Sequence, residues 1–184
     1  MKSEAVAPRL SITQALAKGS CPVCCVLKQF LDDLVEAFGP DQATTTCKTH
    51  TWALAKAAPA DAVIASFLKT IEARVADGPS SCGICARKSH EEKERLDELA
   101  AAMEHERILE WLEQHGTLCF EHAEKLRERL PERLRPLLDQ IVARNVTELR
   151  EQLGSYREQV REGHRVGGGL LGHAAEFLAG QRWL

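Results

Sequence analysis

From Cys24 onward the apolar positions fall three and four residues apart, so Cys24, Leu27, Leu31, Leu34, Val35 and Phe38 share one helical face. Gly39-Pro40-Asp41 ends that stripe, and a threonine-rich loop, Thr44 to Thr46, leads to Cys47. Cys47, His50, Leu54 and Ala58 then resume the helical period up to Pro59. Asp61 to Ala76 is a further helix whose pattern puts Val63, Ile64, Phe67, Leu68, Ile71 and Val75 on a buried side. Ahead of all these, Ser11 caps a short helix through Ile12, Leu16 and Ala17 that stops at Gly19.

Asp77-Gly78-Pro79-Ser80-Ser81 is the clearest turn in the chain, and beyond it the pattern starts again. Cys85, Ser89, Glu92, Leu96, Leu99 and Met103 mark a long charged helix, and Glu104 to Gln114 adds another, ending at His115-Gly116. Cys119, His122, Leu126 and Leu130 repeat the spacing of Cys47, His50, Leu54 and Ala58. After Pro131 one helix is expected to about Gly163, roughly 50 Å long. Gly167-Gly168-Gly169 reads as a hinge before a final helix, Leu170 to Ala179. No stretch reads as a strand. The expectation is an all-α protein of two pseudo-repeated helical modules, residues 1–78 and 79–184, the second carrying the long helix and the C-terminal helix.

Composition narrows the function class. The 184 residues are 44% apolar, enough for a core, and only 5% aromatic. A net charge of -3 gives no global pull toward nucleic acid or an anionic membrane. The basic run Lys125, Arg127, Arg129, Arg133, Arg135 alternates with Glu124, Glu128 and Glu132, which is the pattern of a solvated helix face. Residues 1–16 lack the apolar core of a signal peptide, and no window approaches ~18 uninterrupted apolar residues, so a cytoplasmic protein without a membrane partner is expected. In that compartment thiols stay reduced, and paired cysteines are metal ligands or redox groups rather than disulfides.

Six of the seven cysteines fall into a doubled motif: Cys21-Pro22-Val23-Cys24 with Cys47-Lys48-Thr49-His50, then Cys82-Gly83-Ile84-Cys85 with Cys119-Phe120-Glu121-His122. Three thiolates and one imidazole per copy make a set that closes tetrahedrally around zinc and leaves no position for a substrate. Residues i and i+3 share a helix face, so each motif aims two ligands at one point, and a helix N-terminus favours the thiolate form. Ser20, Thr46, Ser81 and Thr117 stand where N-caps would. Cys21 to Cys47 spans 26 positions and Cys82 to Cys119 spans 37, a difference of about three helical turns that fits the Glu104 to Gln114 helix as an insertion. Closure within each copy is the shorter path; a swap between copies is the alternative.

Two zinc ions per chain are therefore expected, with an iron–sulfur cluster as the alternative cofactor. A dithiol oxidoreductase needs CxxC near a βαβ pattern, which the chain lacks. Cys25, left over from the doubled motif, is a candidate redox thiol for a sensor that loses zinc on oxidation. His90, His105, His115, His164 and His173 read as surface histidines. Gly167-x-Gly169-x-x-Gly172 has the letters of a dinucleotide fingerprint but follows a helix, not a strand.

The doubled pattern resembles a bacterial and archaeal family defined as a domain of unknown function, with CPxC near the N-terminus, CxxH about two dozen residues on, a second CxxC, and LCxxH before long helices. Cys21, Pro22, Cys24, Cys47, His50, Cys82, Cys85, Leu118, Cys119 and His122 match it, as do Ala175 and Gly180 in the last helix, where His173 stands in the place of an aromatic residue. The resemblance implies a metal-binding, all-helical protein and supplies no activity. The functional expectation is a zinc-tied helical scaffold or adaptor with no catalytic site, acting on a protein partner or as a homodimer through the Pro131 to Gly163 helix.

Overall fold

The computed structural model describes residues 11–77, 81–163 and 169–179, and all regular structure among them is helical. The elements are α1 (Ile12–Leu16), α2 (Pro22–Glu36), α3 (Lys48–Ala57), α4 (Ala60–Asp77), α5 (Gly83–Ala102), α6 (Glu106–His115), α7 (Phe120–Arg127), α8 (Arg135–Arg161) and α9 (Gly169–Ala179). The all-α expectation holds. The centre of the turn expected at 77–81, and the Gly167-Gly168 part of the expected hinge, lie outside the described residues.

Local signals account for most boundaries. Ser11 Oγ accepts from the Gln14 N–H at 3.2 Å while Gln14 Oε1 accepts from the Ser11 N–H at 2.9 Å, a reciprocal cap that starts α1. Gly19, at φ 69°, takes the left-handed conformation that lets the chain turn toward Cys21. The helix expected over Glu104 to Gln114 is α6. The helix expected from Pro131 begins three residues later than a continuous one would, because Glu132–Leu134 forms a single 3-10 turn before α8.

The described chain divides into two compact units that do not follow the 78/79 repeat boundary. The first holds residues 11–26 and 95–179; the second holds 27–94. In the first, α8 buries Leu138, Ile141, Asn145 and Leu149 and packs against α6, α7 and α9. Leu149, Ala174 and Phe177 form one cluster there, with Phe120 meeting Phe177 edge-on at 4.7 Å between ring centroids. In the second, Leu31, Phe38, Leu54, Ala62, Cys82 and Ile84 share a core.

The buried side of α4 differs from the one its hydrophobic pattern predicts. Ala62, Ser66 and Thr70 face inward, whereas Ile64, Leu68, Ile71 and Val75 are 59%, 54%, 58% and 83% exposed. The loop before Cys47 supplies part of the reason. Ser66 Oγ accepts from the Thr44 N–H at 3.3 Å, and Thr70 Oγ1 accepts from the Thr46 N–H at 3.0 Å while donating to the Ser66 carbonyl at 2.8 Å. Backbone donors that leave water need such partners, so the polar seam is drawn to the loop and the aliphatic seam turns outward.

This orientation is checked by urea unfolding at dilute protein concentration. Ile71→Ser is expected to change stability by no more than about 0.5 kcal/mol, as exposed substitutions do. Leu54→Ala, in the core, is expected to lose about 2–5 kcal/mol. Equal costs would mean that α4 is turned the other way.

Candidate metal centres

Each of the four motifs opens a helix, as its spacing predicts. Cys47 and Cys119 are themselves the N-cap residues of α3 and α7, and Cys21 and Cys82 immediately precede α2 and α5. The cap position thus goes to the first cysteine of each motif and not to the Ser or Thr before it. Cys82 Sγ accepts from the Cys85 N–H at 3.5 Å in the manner of a cap; Thr46 instead bonds Thr51 and Thr70, and Ser20 bonds Cys25.

The structure gathers the eight residues into two groups, and the pairing is crossed. Cys21 and Cys24 meet Cys119 and His122, entirely within the first unit; Cys47 and His50 meet Cys82 and Cys85, entirely within the second. In each group the four ligand atoms lie within 4.8 Å of one another. The shorter closure along the sequence is therefore not the one adopted.

The distances fit a single tetrahedral ion. With metal–sulfur bonds of about 2.3 Å and metal–nitrogen bonds of about 2.0–2.1 Å, a tetrahedron has S···S edges of about 3.75 Å and S···N edges of about 3.5 Å. Cys24 and Cys119 sulfurs are 3.7 Å apart, and Cys47 and Cys85 sulfurs are also 3.7 Å apart. His122 Nδ1 stands 3.4, 3.2 and 3.1 Å from Cys21, Cys24 and Cys119. His50 Nδ1 stands 3.3, 3.4 and 3.3 Å from Cys47, Cys82 and Cys85. Nδ1 is the inward-facing nitrogen in both.

Both CxxH motifs are held by a buried polar side chain from the helix that follows. In the second unit Thr70 takes the N–H of Thr46, the residue before Cys47. In the first, with its amide oriented as its neighbours require, oxygen toward a donor and nitrogen toward an acceptor, Asn145 accepts from the N–H of Leu118, the residue before Cys119, and donates to the Gly116 carbonyl, each at 3.2 Å. Arg144 reinforces that carbonyl at 2.6 Å. The CxxC of the second group is anchored differently: the Gly83 N–H donates to the Thr45 carbonyl at 3.0 Å, and a Cβ on Gly83 would collide with the Thr44 side chain. Sequence reasoning missed Thr70, Asn145 and Gly83. A polar residue inside an otherwise apolar stripe was the available signal for Asn145.

Proton distribution follows from the crowding of thiols. Hydrogen bonds from Cys21 and Cys24, and the nearby His122, hold Cys119 far below the usual thiol range against the effect of its burial, while burial and sharing with Cys119 and Cys24 push Cys21 well up. In the second group partial burial raises Cys47, but the His50 N–H and the Cys85 and Cys82 thiols outweigh it and lower the net value. Cys85 is pushed up to about 12 by desolvation and by sharing with Cys82 and Cys47. Burial and the charge of Lys88 lower His50, keeping it in the neutral form that ligates. Each group thus pairs a thiol that gives up its proton more readily with one that holds it more tightly, and the held proton must leave when a metal enters.

The remaining candidates stay outside. Cys25 bonds Ser20 Oγ at 2.9 Å and joins neither group. His90 pairs with Glu94 at 3.3 Å, His115 packs on Trp111, and His173 is exposed. His164 lies outside the described residues. Comparison with protein-family models, curated proteins and solved structures finds no match to this chain.

Crossed pairing has a direct readout in the absorption of the cobalt-loaded protein. Cys24→Ser, Cys119→Ser and the two together are each expected to remove half of the thiolate charge-transfer intensity, whereas Cys24→Ser with Cys47→Ser removes all of it. A half-intensity spectrum in the last variant would restore pairing within each copy. Gly83→Ala is expected to weaken metal binding about 10–100-fold in the second group only. Because bound protons must leave, metal affinity at both groups rises with pH, measurable by competition with a chromophoric chelator.

Proposed function

We propose that the protein is a zinc-tied helical interaction scaffold without a catalytic centre. What carries the metal reading is the convergence of four ligand atoms at tetrahedral spacing, twice in one chain. A multi-iron cluster places several metal ions between its ligands and would hold them farther apart, which favours one ion per group. Zinc suits the donor set: borderline-soft, tetrahedral, and indifferent to the reducing conditions that keep thiols free. Three thiolates and an imidazole fill the coordination sphere and leave no open position of the kind that metal catalysis uses. Membership in the doubled-motif family remains part of this proposal, resting on the ten matching positions in its motifs.

The interaction reading rests on α4. The Pro131 to Gly163 region, expected to be the docking helix, spends Leu134, Leu138, Ile141 and Leu149 inside its own unit. Among the described residues α4 carries four of the exposed large aliphatic side chains, Ile64, Leu68, Ile71 and Val75, along one seam. Leaving such side chains in water forgoes about 1.5–3 kcal/mol each relative to burial. The hydrogen bonds on the opposite face recover only about 1 kcal/mol apiece. A covering partner closes that gap. The seam's 4-3-4 spacing reads the same in both directions, so an antiparallel second copy would set Ile64 against Val75 and Leu68 against Ile71 in an isologous contact. Four side chains supply less than the ~800 Å² per partner of a standard interface, so the dimer would be weak and concentration-dependent.

Two measurements test the reading. Metal analysis of protein purified without added metal is expected to give two zinc ions per chain, and stripping them with a chelator under mild acid is expected to lower helicity. Sedimentation equilibrium is expected to show reversible dimers that Leu68→Glu abolishes without unfolding the chain. A strictly monomeric wild type would remove the self-association.

A further inference from the structure

The two groups share one donor set but not one environment. Cys21, Cys24, Cys119 and His122 are only 6%, 4%, 2% and 4% exposed. In the other group only Cys82 is buried: Cys47 and His50 are half-buried and Cys85 is exposed. Thiolates bound to zinc keep part of their nucleophilicity, so with equal chemistry access decides which one an oxidant reaches.

Cys85 sits on the first turn of α5 with exposed Ala86 and Arg87 beside it. Its sulfur lies 3.7 Å from that of Cys47, the second most accessible thiolate of the group. A disulfide needs the two sulfurs at about 2.05 Å, and each belongs to a helix start whose side chain can rotate once the ion leaves.

We propose that the Cys47–His50–Cys82–Cys85 group is a peroxide-responsive site, in which Cys85 and Cys47 form a disulfide that expels the metal while the buried group keeps its own. This rests on both groups holding metal. The Cys85 thiolate attacks one oxygen of hydrogen peroxide, the O–O bond breaks, a sulfenic acid forms and hydroxide leaves. The Cys47 thiolate then attacks the Cys85 sulfur, the S–S bond forms, and the second oxygen departs as hydroxide. Two protons from solvent convert both to water; the two thiolates supply the two electrons. Only Cys82 and His50 remain on the ion, too few ligands to retain it against a chelator.

Cys25, the leftover thiol, has no part in this step. It lies in the other unit, bonded to Ser20.

The test uses the full-length zinc-loaded protein with hydrogen peroxide and a chromophoric zinc chelator, followed by blocking of free thiols and peptide mass spectrometry. The expected result is rapid loss of one of two zinc ions per chain, a Cys47–Cys85 disulfide, and Cys21, Cys24 and Cys119 still reduced. Cys25→Ser is expected to release the same single ion at the same rate, and a thiol reductant with added zinc is expected to restore it. Release of both ions in one phase, or a disulfide among Cys21, Cys24 and Cys119, would overturn the proposal. A Cys82–Cys85 disulfide would overturn the assignment of Cys47. Protein carrying no zinc before peroxide is added would sink the metal reading itself, which the starting metal content separates from a failure of the redox step.

Discussion

Everything in this protein is arranged around the meeting of two helix starts. A CxxC at the beginning of one helix faces a CxxH at the beginning of another, and three thiolates must be brought together where their mutual repulsion would otherwise drive them apart. In the function proposed, a divalent ion would offset most of that charge, and the positive ends of the helix macrodipoles would contribute to the rest. The loops before Cys47 and Cys119 must also be fixed, and the structure spends buried polar side chains, Thr70 and Asn145, on doing so.

That demand propagates outward. Because Ser66 and Thr70 serve the Cys47 loop, α4 turns its aliphatic seam to solvent, and the helix with the most inviting exposed stripe is the one that holds a metal loop in place. In the first unit the corresponding work is done by Asn145 and Arg144 on α8, whose leucines are free to build the core. The scaffold and the surface it presents are thus consequences of one local requirement, that the backbone donors ahead of a CxxH find partners.

The crossed pairing costs little. Cys24 and Cys119 are 95 residues apart, against 23 for Cys24 and Cys47, yet loop-closure entropy grows only with the logarithm of length. By that relation the longer closure is worse by about 1 kcal/mol, which a few buried side chains outweigh. Sequence distance therefore discriminates weakly between the two pairings. Environment discriminates more: one group is enclosed and the other opens onto solvent at Cys85, although the residues that make them are the same.

The sequence by itself determined the all-α architecture, the helix that each motif opens, the eight cysteines and histidines that gather into the two groups, and the cap at Ser11. These are local matters of period, spacing and turn chemistry, decided within a few residues of where they are read. Which CxxC meets which CxxH, which face of α4 is buried and which group is exposed were decided only by tertiary structure. Each depends on partners far along the chain: Asn145 for Leu118, Thr70 for Thr46, the Thr45 carbonyl for the Gly83 N–H. Hydrophobic periodicity reports that a helix has two faces. It does not report which of them another segment needs for a hydrogen bond, and on α4 that need ran against the apolar pattern.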